Sequence, residues 1–281
     1  MDRAPDISDT AFITCYFRSL DPELSRDPLA SLWVDSAVAR LGDKFRHEVI
    51  ENDPVNIQLR CRYWVEALER FQAAHGEVSL VNLGAGFSMY PFLPCLRETS
   101  LSLEVDQSHV VAFKRARLAE FARDGRVPAV RHLAHRALDF EREPFEALLD
   151  EELAKLGRDR PTFFLLEGFF YYLSPPVSDR LWGWLRSACT AGDRIGMIHL
   201  PQEIRESAAY RRTQRFLQED CGYDGEAIVY HEREYFSSEG LEVLDQSSHV
   251  GLARRYGASE DHTNDNTFNE HFLLLEAGDG P

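Results

Sequence analysis

The chain has 281 residues, 44% of them hydrophobic and 28% charged, with 31 Lys and Arg against 47 Asp and Glu and a formal net charge of −16. That length fits one large α/β domain, or a domain with an appended lid, and the acidic balance argues against a nucleic-acid partner, because neutralising phosphates takes clustered Lys and Arg. No apolar run approaches the roughly 18 residues of a membrane span and Met1-Asp2-Arg3-Ala4-Pro5-Asp6 lacks a charged-then-apolar leader, so a soluble, cytoplasmic protein with no membrane partner is expected.

Residues 1 to about 60 read as a helical cap separate from the rest of the chain. Asp27-Pro28 suggests an N-cap followed by proline at the first helical position. Leu29, Leu32, Trp33 and Ala37 then recur at helical spacing, with Gly42 as a stop. From Arg60-Cys61-Arg62-Tyr63-Trp64 a helix is expected to run to His75-Gly76. Two arginines ahead of an apolar helix are usually solvated, although a planar guanidinium suits the carboxylate of an amino-acid ligand.

Val78, Leu80, Val81 and Leu83 suit a strand buried on both faces of a parallel sheet, and Gly84-Ala85-Gly86 comes at once after it. Two glycines there permit a sharp turn and leave no Cβ in a ligand's way. The third glycine of a dinucleotide fingerprint and a Walker lysine are both missing, since Phe87, Ser88 and Met89 come next. A diphosphate has a poor cradle here, whereas S-adenosylmethionine, which has no phosphates, does not need one. The next strand stops on Glu104 and Asp106, and a carboxylate at that strand tip can accept from both hydroxyls of a ribose.

Ser108 to Arg123 reads as a helix ended by Gly125, and Val127 to Leu133 as a third strand. After it stands Leu138-Asp139-Phe140, where an adenine could be met by Asp139 and the Phe140 ring; a solvated acid and a core ring are the alternative. Pro161 to Leu166 is the most apolar strand and should sit centrally, ending in Glu167-Gly168. A carboxylate there lies at the ligand crevice of an open α/β sheet, and burying it among Phe169, Phe170, Tyr171 and Tyr172 is costly without a partner.

Pro176 begins an amphipathic helix, and Arg194 to His199 is a fifth strand. The polar, arginine-rich helix from about Ile204 to Asp220 looks like a lid element, placing a lid insertion at about 201–235 in a core spanning 61–281. Ser237 or Ser238 would cap another helix; Asp261 to Asn266 reads as a loop and Glu270 to Glu276 as the last strand. Strands alternating with helices at least five times imply a doubly wound, mostly parallel sheet. Cys15, Cys61, Cys95, Cys189 and Cys221 are odd in number and form no CxxC pair, so they read as small buried hydrophobes, and structural zinc is not expected.

Several stretches together resemble the leucine carboxyl methyltransferase family, which includes protein-phosphatase C-terminal methyltransferases and tetracenomycin-type bacterial polyketide carboxylate O-methyltransferases. They are Arg60-Cys61-Arg62-Tyr63, Val81 to Phe87, Leu103 to Asp106 with Lys114-Arg115, Leu138-Asp139-Phe140, and Glu167 to Ser174. The resemblance implies a seven-stranded, Rossmann-like class I methyltransferase fold that binds S-adenosylmethionine. By position it gives Arg60 or Arg62 the cofactor carboxylate and Gly84, with Ala85 and Gly86, the methionyl backbone. Asp106 would take the ribose, Asp139 and Phe140 the adenine, and Glu167, with Gly168, the amino group. One departure is that Ser88-Met89-Tyr90 stands where the family commonly has an aspartate, a threonine and an arginine.

The expected reaction is methyl transfer to a carboxylate or hydroxyl of a small natural product, often one held on a biosynthetic carrier. A carboxylate, with a pKa of about 4, needs no general base; a hydroxyl does, and His199 with Tyr172 beside it is the expected pair. Three other readings are weighed: a cofactor-binding protein without transfer, a protein C-terminal carboxyl methyltransferase, and a nicotinamide-dependent oxidoreductase, the last disfavoured by the absent third glycine.

Overall fold

In the computed structural model, which describes residues 9–221, 228–258, 262–263 and 265–278, helices precede the sheet. They are α1 (Asp9–Leu20), α2 (Pro22–Ser25), α3 (Ser36–Glu48) and α4 (Asp53–His75). Asp35 caps α3 by accepting from the amides of Ala37 and Val38. The helix expected from Pro28 is only a 3-10 turn over Ala30–Trp33, because Val34 turns extended. Gly42 does not stop α3 but lies inside it, buried; a Cβ there would fall 2.1 Å from Tyr16 Cδ1, so the glycine lets α1 and α3 approach closely. α4 begins at Asp53 with Pro54 behind it rather than at Arg60, so a division at residue 60 would cut a continuous helix. The leader reading of Met1 to Asp6 lies outside the described residues.

The sheet contains β1 (Val78–Leu83), β2 (Ser100–Asp106), β3 (His132–Ala137), β4 (Thr162–Leu166), β5 (Arg194–His199), β6 (Leu241–Ser248) and β7 (His271–Ala277). Between them run α5 (Ser108–Arg123), α6 (Glu146–Leu156), α7 (Pro175–Ala188), α8 (Ala208–Glu219) and α9 (His249–Arg255). Among the described residues it is one seven-stranded sheet in the order β3-β2-β1-β4-β5-β7-β6. The first five strands pair in parallel, and β7 pairs antiparallel with both β5 and β6. The expected doubly wound, mostly parallel α/β fold is present, and β4 holds its centre.

Side-chain alternation divides the core into two layers. Leu80, Phe163 and Leu165 pack with Tyr63, Trp64 and Phe71 of α4, while Val81, Leu83, Phe164 and Leu166 pack with Leu149 of α6 and Leu181 and Leu185 of α7. Every residue of β1 and of β4 is buried, which is why these strands read as continuous apolar runs. Two expectations change. The third strand is His132–Ala137 rather than 127–133, and the helix expected from Ser237 is replaced by β6, whose backbone bonds to β7 override the serine cap signal. The polar segment splits into a 3-10 turn, Gln202–Glu206, and α8, with Ser207 accepting from the Tyr210 amide. Residues 222–227 of the expected lid, and 261 and 264 of the expected loop, lie outside the described residues.

Candidate active site

β1 and β4 are neighbours whose chains leave in opposite directions, β1 towards β2 and β3, β4 towards β5. At such a switch point the loops after the strands splay apart and leave a crevice. Here it is a cavity of about 440 Å³, bounded by the turn after β1, the end of β2, the loops after β3 and β4, and α1.

The glycine turn is stitched to β2. The Gly84 and Ala85 amides donate to Val105 O at 2.8 and 3.2 Å, and the Gly86 amide donates to Asp106 Oδ2 at 2.7 Å. Gly84 has φ of 68° and a Cβ on it would lie 2.4 Å from Phe169 Cγ, so both backbone and space demand glycine. Gly86, with φ of 46°, differs: a Cβ on it would meet no protein atom within 4 Å, and the residue lines the cavity. The Gln107 amide donates to Asp106 Oδ1 at 2.7 Å; loss of water pushes the Asp106 pKa up against these two backbone bonds.

Glu167, at the tip of β4, is held from two sides. Arg60 Nε lies 2.9 Å from Oε1, and the Tyr90 hydroxyl donates to Oε2 at 2.5 Å. Arg60 also donates through Nη1 to Glu270 Oε2 at 2.9 Å. Burial alone would lower the Arg60 pKa, but Glu270 and Glu167 hold it above its ordinary value. Arg18 reaches the same cavity from α1 and is 4% exposed. Its Nη2 lies 3.2 Å from Cys15 Sγ and 3.5 Å from Phe87 O, and its Nε lies 3.5 Å from Asp27 Oδ2.

Tyr172, Arg60, Gly84, Ala85, Gly86, Asp106, Asp139, Phe140, Glu167 and Gly168 all line this one cavity. Arg62 and His199 do not. Two residues on from Arg60, Arg62 is turned about 200° around α4. There it donates to Glu66 Oε1 at 2.7 Å and covers the Tyr256 ring. His199 sits at the end of β5, beyond β4, with Nδ1 2.9 Å from His231 O and its ring against Phe236 and His271. It lines a separate cavity with Glu203 and Glu232, and burial drives its pKa down to about 4. Glu104, although next to the site in sequence, points into the protein, 2.7 Å from Lys114 Nζ.

Sequence reasoning missed Arg18, Tyr90, His109 and Glu270. Arg18 had a signal, because it continues the stripe Ala11, Thr14, Cys15 at helical spacing, and a charge on an apolar stripe is unusual. Tyr90 counted only as a departure from the family, whereas its hydroxyl reaches Glu167. His109 lines the cavity from the first turn of α5. Glu270 had no local signal at all, being brought in by the antiparallel insertion of β7.

The profile of the leucine carboxyl methyltransferase family matches residues 13–186. The chain is 30% identical over 131 residues to a candidate S-adenosyl-L-methionine-dependent methyltransferase of Mycobacterium marinum, covering 46% of this chain and 41% of that protein. It is 28% identical over 184 residues to a similarly described protein of Mycobacteroides abscessus, covering 65% and 58%. The chain thus spans less than two thirds of the length of these curated relatives. Among solved structures, a DUF574 family protein of Streptomyces avermitilis superposes with a TM-score of 0.64 at 14% identity, covering 95% of this chain and 97% of that one. A candidate methyltransferase of Thermobifida fusca gives 0.59 at 18%, covering 94% of each. These two likenesses show the shared fold.

Proposed function

This chain belongs to the leucine carboxyl methyltransferase family, and from that premise we propose that its cavity binds S-adenosylmethionine and that the chain transfers a methyl group to an oxygen of a small-molecule acceptor, a carboxylate by preference. The carrying observation is that Asp106 and Glu167, from the tips of different strands, border one cavity together with the glycine turn and two buried arginines. The volume suits a ligand of this size. The donor set also fits a zwitterionic adenosyl ligand: carboxylates for hydroxyl and ammonium groups, guanidiniums for a carboxylate, and space at Gly86 that a side chain would fill.

In this reading Asp106 accepts from the ribose, Asp139 and Phe140 meet the adenine, Glu167 takes the amino group, and Arg60 and Arg18 face the carboxylate. S-adenosylmethionine supplies, when bound, a methyl carbon made electrophilic by sulfonium. The chain's own task is to align that ligand and an acceptor and to keep water out. A carboxylate acceptor is ionised at neutral pH and needs no base. Burial pushes the Tyr172 pKa up to about 12, so its hydroxyl stays protonated and serves as a donor that orients the acceptor. A small natural-product acid of polyketide type is the acceptor class that the family resemblance supports.

Calorimetric titration with S-adenosylmethionine, S-adenosylhomocysteine and NAD tests the cofactor. The two adenosyl ligands are expected to bind and NAD not to. Asp106→Ala and Glu167→Ala should each weaken S-adenosylhomocysteine binding by about 1–3 kcal/mol. Unchanged affinity in both folded variants refutes the assignment. Transfer of labelled methyl to a panel of carboxylic acids, followed by mass spectrometry, tests turnover; binding with no transfer to any oxygen acceptor identifies a binding protein instead.

A further inference from the structure

We infer that Glu270 is a positioning residue: it fixes the Arg60 guanidinium so that one edge of the fork is presented to the cavity to read a carboxylate. The inference rests on the S-adenosylmethionine reading of the cavity. Glu270 lies just before β7, outside the matched segment 13–186, and is 3% exposed. Its carboxylate collects donors from three elements. Oε2 accepts from Arg60 Nη1 and from His249 Nε2, both at 2.9 Å, and Oε1 accepts from the Tyr171 hydroxyl at 2.7 Å. Tyr171 lies after β4, His249 opens α9 and Arg60 belongs to α4, so one buried acid ties the distal part of the chain to the wall of the cavity.

The consequence for Arg60 is geometric. A guanidinium is a planar fork, and two fixed bonds in its plane determine its orientation. Nε is committed to Glu167 and Nη1 to Glu270, while Nη2 has no hydrogen bond among the described residues. Arg60 lines the cavity beside Gly168, whose φ of 65° is what calls for glycine there. Without Glu270, Arg60 loses its second anchor and can turn a second nitrogen onto Glu167, in competition with the Tyr90 hydroxyl. That rearrangement would withdraw the fork from the cavity and occupy the acid that the ligand's amino group needs. Three donors converge on Glu270, and a glutamine cannot accept all three, because one of its two terminal atoms is itself a donor.

The test compares two ligands that share the adenosyl part but differ in the amino-acid tail. S-adenosylhomocysteine carries the carboxylate; 5′-methylthioadenosine lacks it. In Glu270→Gln, affinity for S-adenosylhomocysteine should fall about tenfold, while affinity for 5′-methylthioadenosine stays within twofold of wild type. Should Glu270→Gln fail to fold, His249→Phe removes one supporting donor and should cost S-adenosylhomocysteine affinity about threefold, with His249→Gln restoring it. Equal losses on both ligands, unchanged affinity, or tighter S-adenosylhomocysteine binding overturn the positioning role. Failure of the wild-type chain to bind either ligand would instead remove the cofactor reading on which the role depends.

Discussion

Gly84 and Gly86 stand two residues apart in one turn, both at positive φ, yet the structure assigns them different work. An alanine at either position pays about 1–2 kcal/mol for the left-handed backbone. At Gly84 the new methyl also lands 2.4 Å from Phe169 Cγ and 2.5 Å from its Cβ. Phe169 has little freedom to retreat, since its ring packs on Phe140 with centroids 5.0 Å apart. Overpacking of this kind adds about 1–3 kcal/mol, for a total of about 2–5 kcal/mol in Gly84→Ala. Gly86→Ala meets no protein atom within 4 Å, so its stability loss should stay near the backbone figure alone. Its methyl would instead take up ligand space, and S-adenosylhomocysteine affinity should drop about tenfold or more. Urea denaturation gives the first quantity and calorimetry the second. If Gly84→Ala is no more destabilising than Gly86→Ala, or if Gly86→Ala binds the ligand normally, the division of labour argued for this turn is wrong.

Two further outcomes concern groups outside the cavity. Lys114 is buried 2.7 Å from Glu104 Oε2 and donates to Ser88 O at 2.8 Å, with His135 the other group beside the acid. Lys114→Met should therefore cost about 3–5 kcal/mol by stranding a buried carboxylate, and adding Glu104→Gln should recover part of that loss in the same denaturation assay. A single-variant loss under about 1 kcal/mol would show that the pair does not hold α5 to β2. His199, driven by burial from 6.5 down to about 4, binds fewer protons folded than unfolded. Its contribution is therefore complete above pH 6.5 and is lost as pH falls from 6.5 through 4, on the order of 3 kcal/mol in all. His199→Gln should flatten that part of the stability profile, and an unaltered profile would place the acid sensitivity elsewhere.

The sequence by itself determined the sheet's centre and the tips of its strands. β1 and β4 are buried on both faces, and such strands must be written as unbroken apolar runs, so their ends, Gly84 and Glu167, were legible. Asp106 was legible by the same logic one strand over. Helical periodicity, however, is silent about which side of a long helix faces a cavity, and so Arg60 and Arg62 could not be separated until α4 was seen to start at Asp53 and turn Arg62 towards Tyr256. Serines before Leu241 carry the local marks of a helix start, but pairing with β7 supplies more backbone bonds than a short helix could, and the segment became a strand. Arg18 and His109 reached the cavity, and Tyr90 and Glu270 the charges on its wall, only through tertiary packing. Arg18 alone left a trace, as a charge on the helical stripe of α1; for the others, a contact between distant segments leaves no periodicity in either one. The elements proposed to carry the ligand chemistry were thus set by local patterning, whereas two of the charges around them, Arg18 from α1 and Glu270 from just before β7, were placed by tertiary packing.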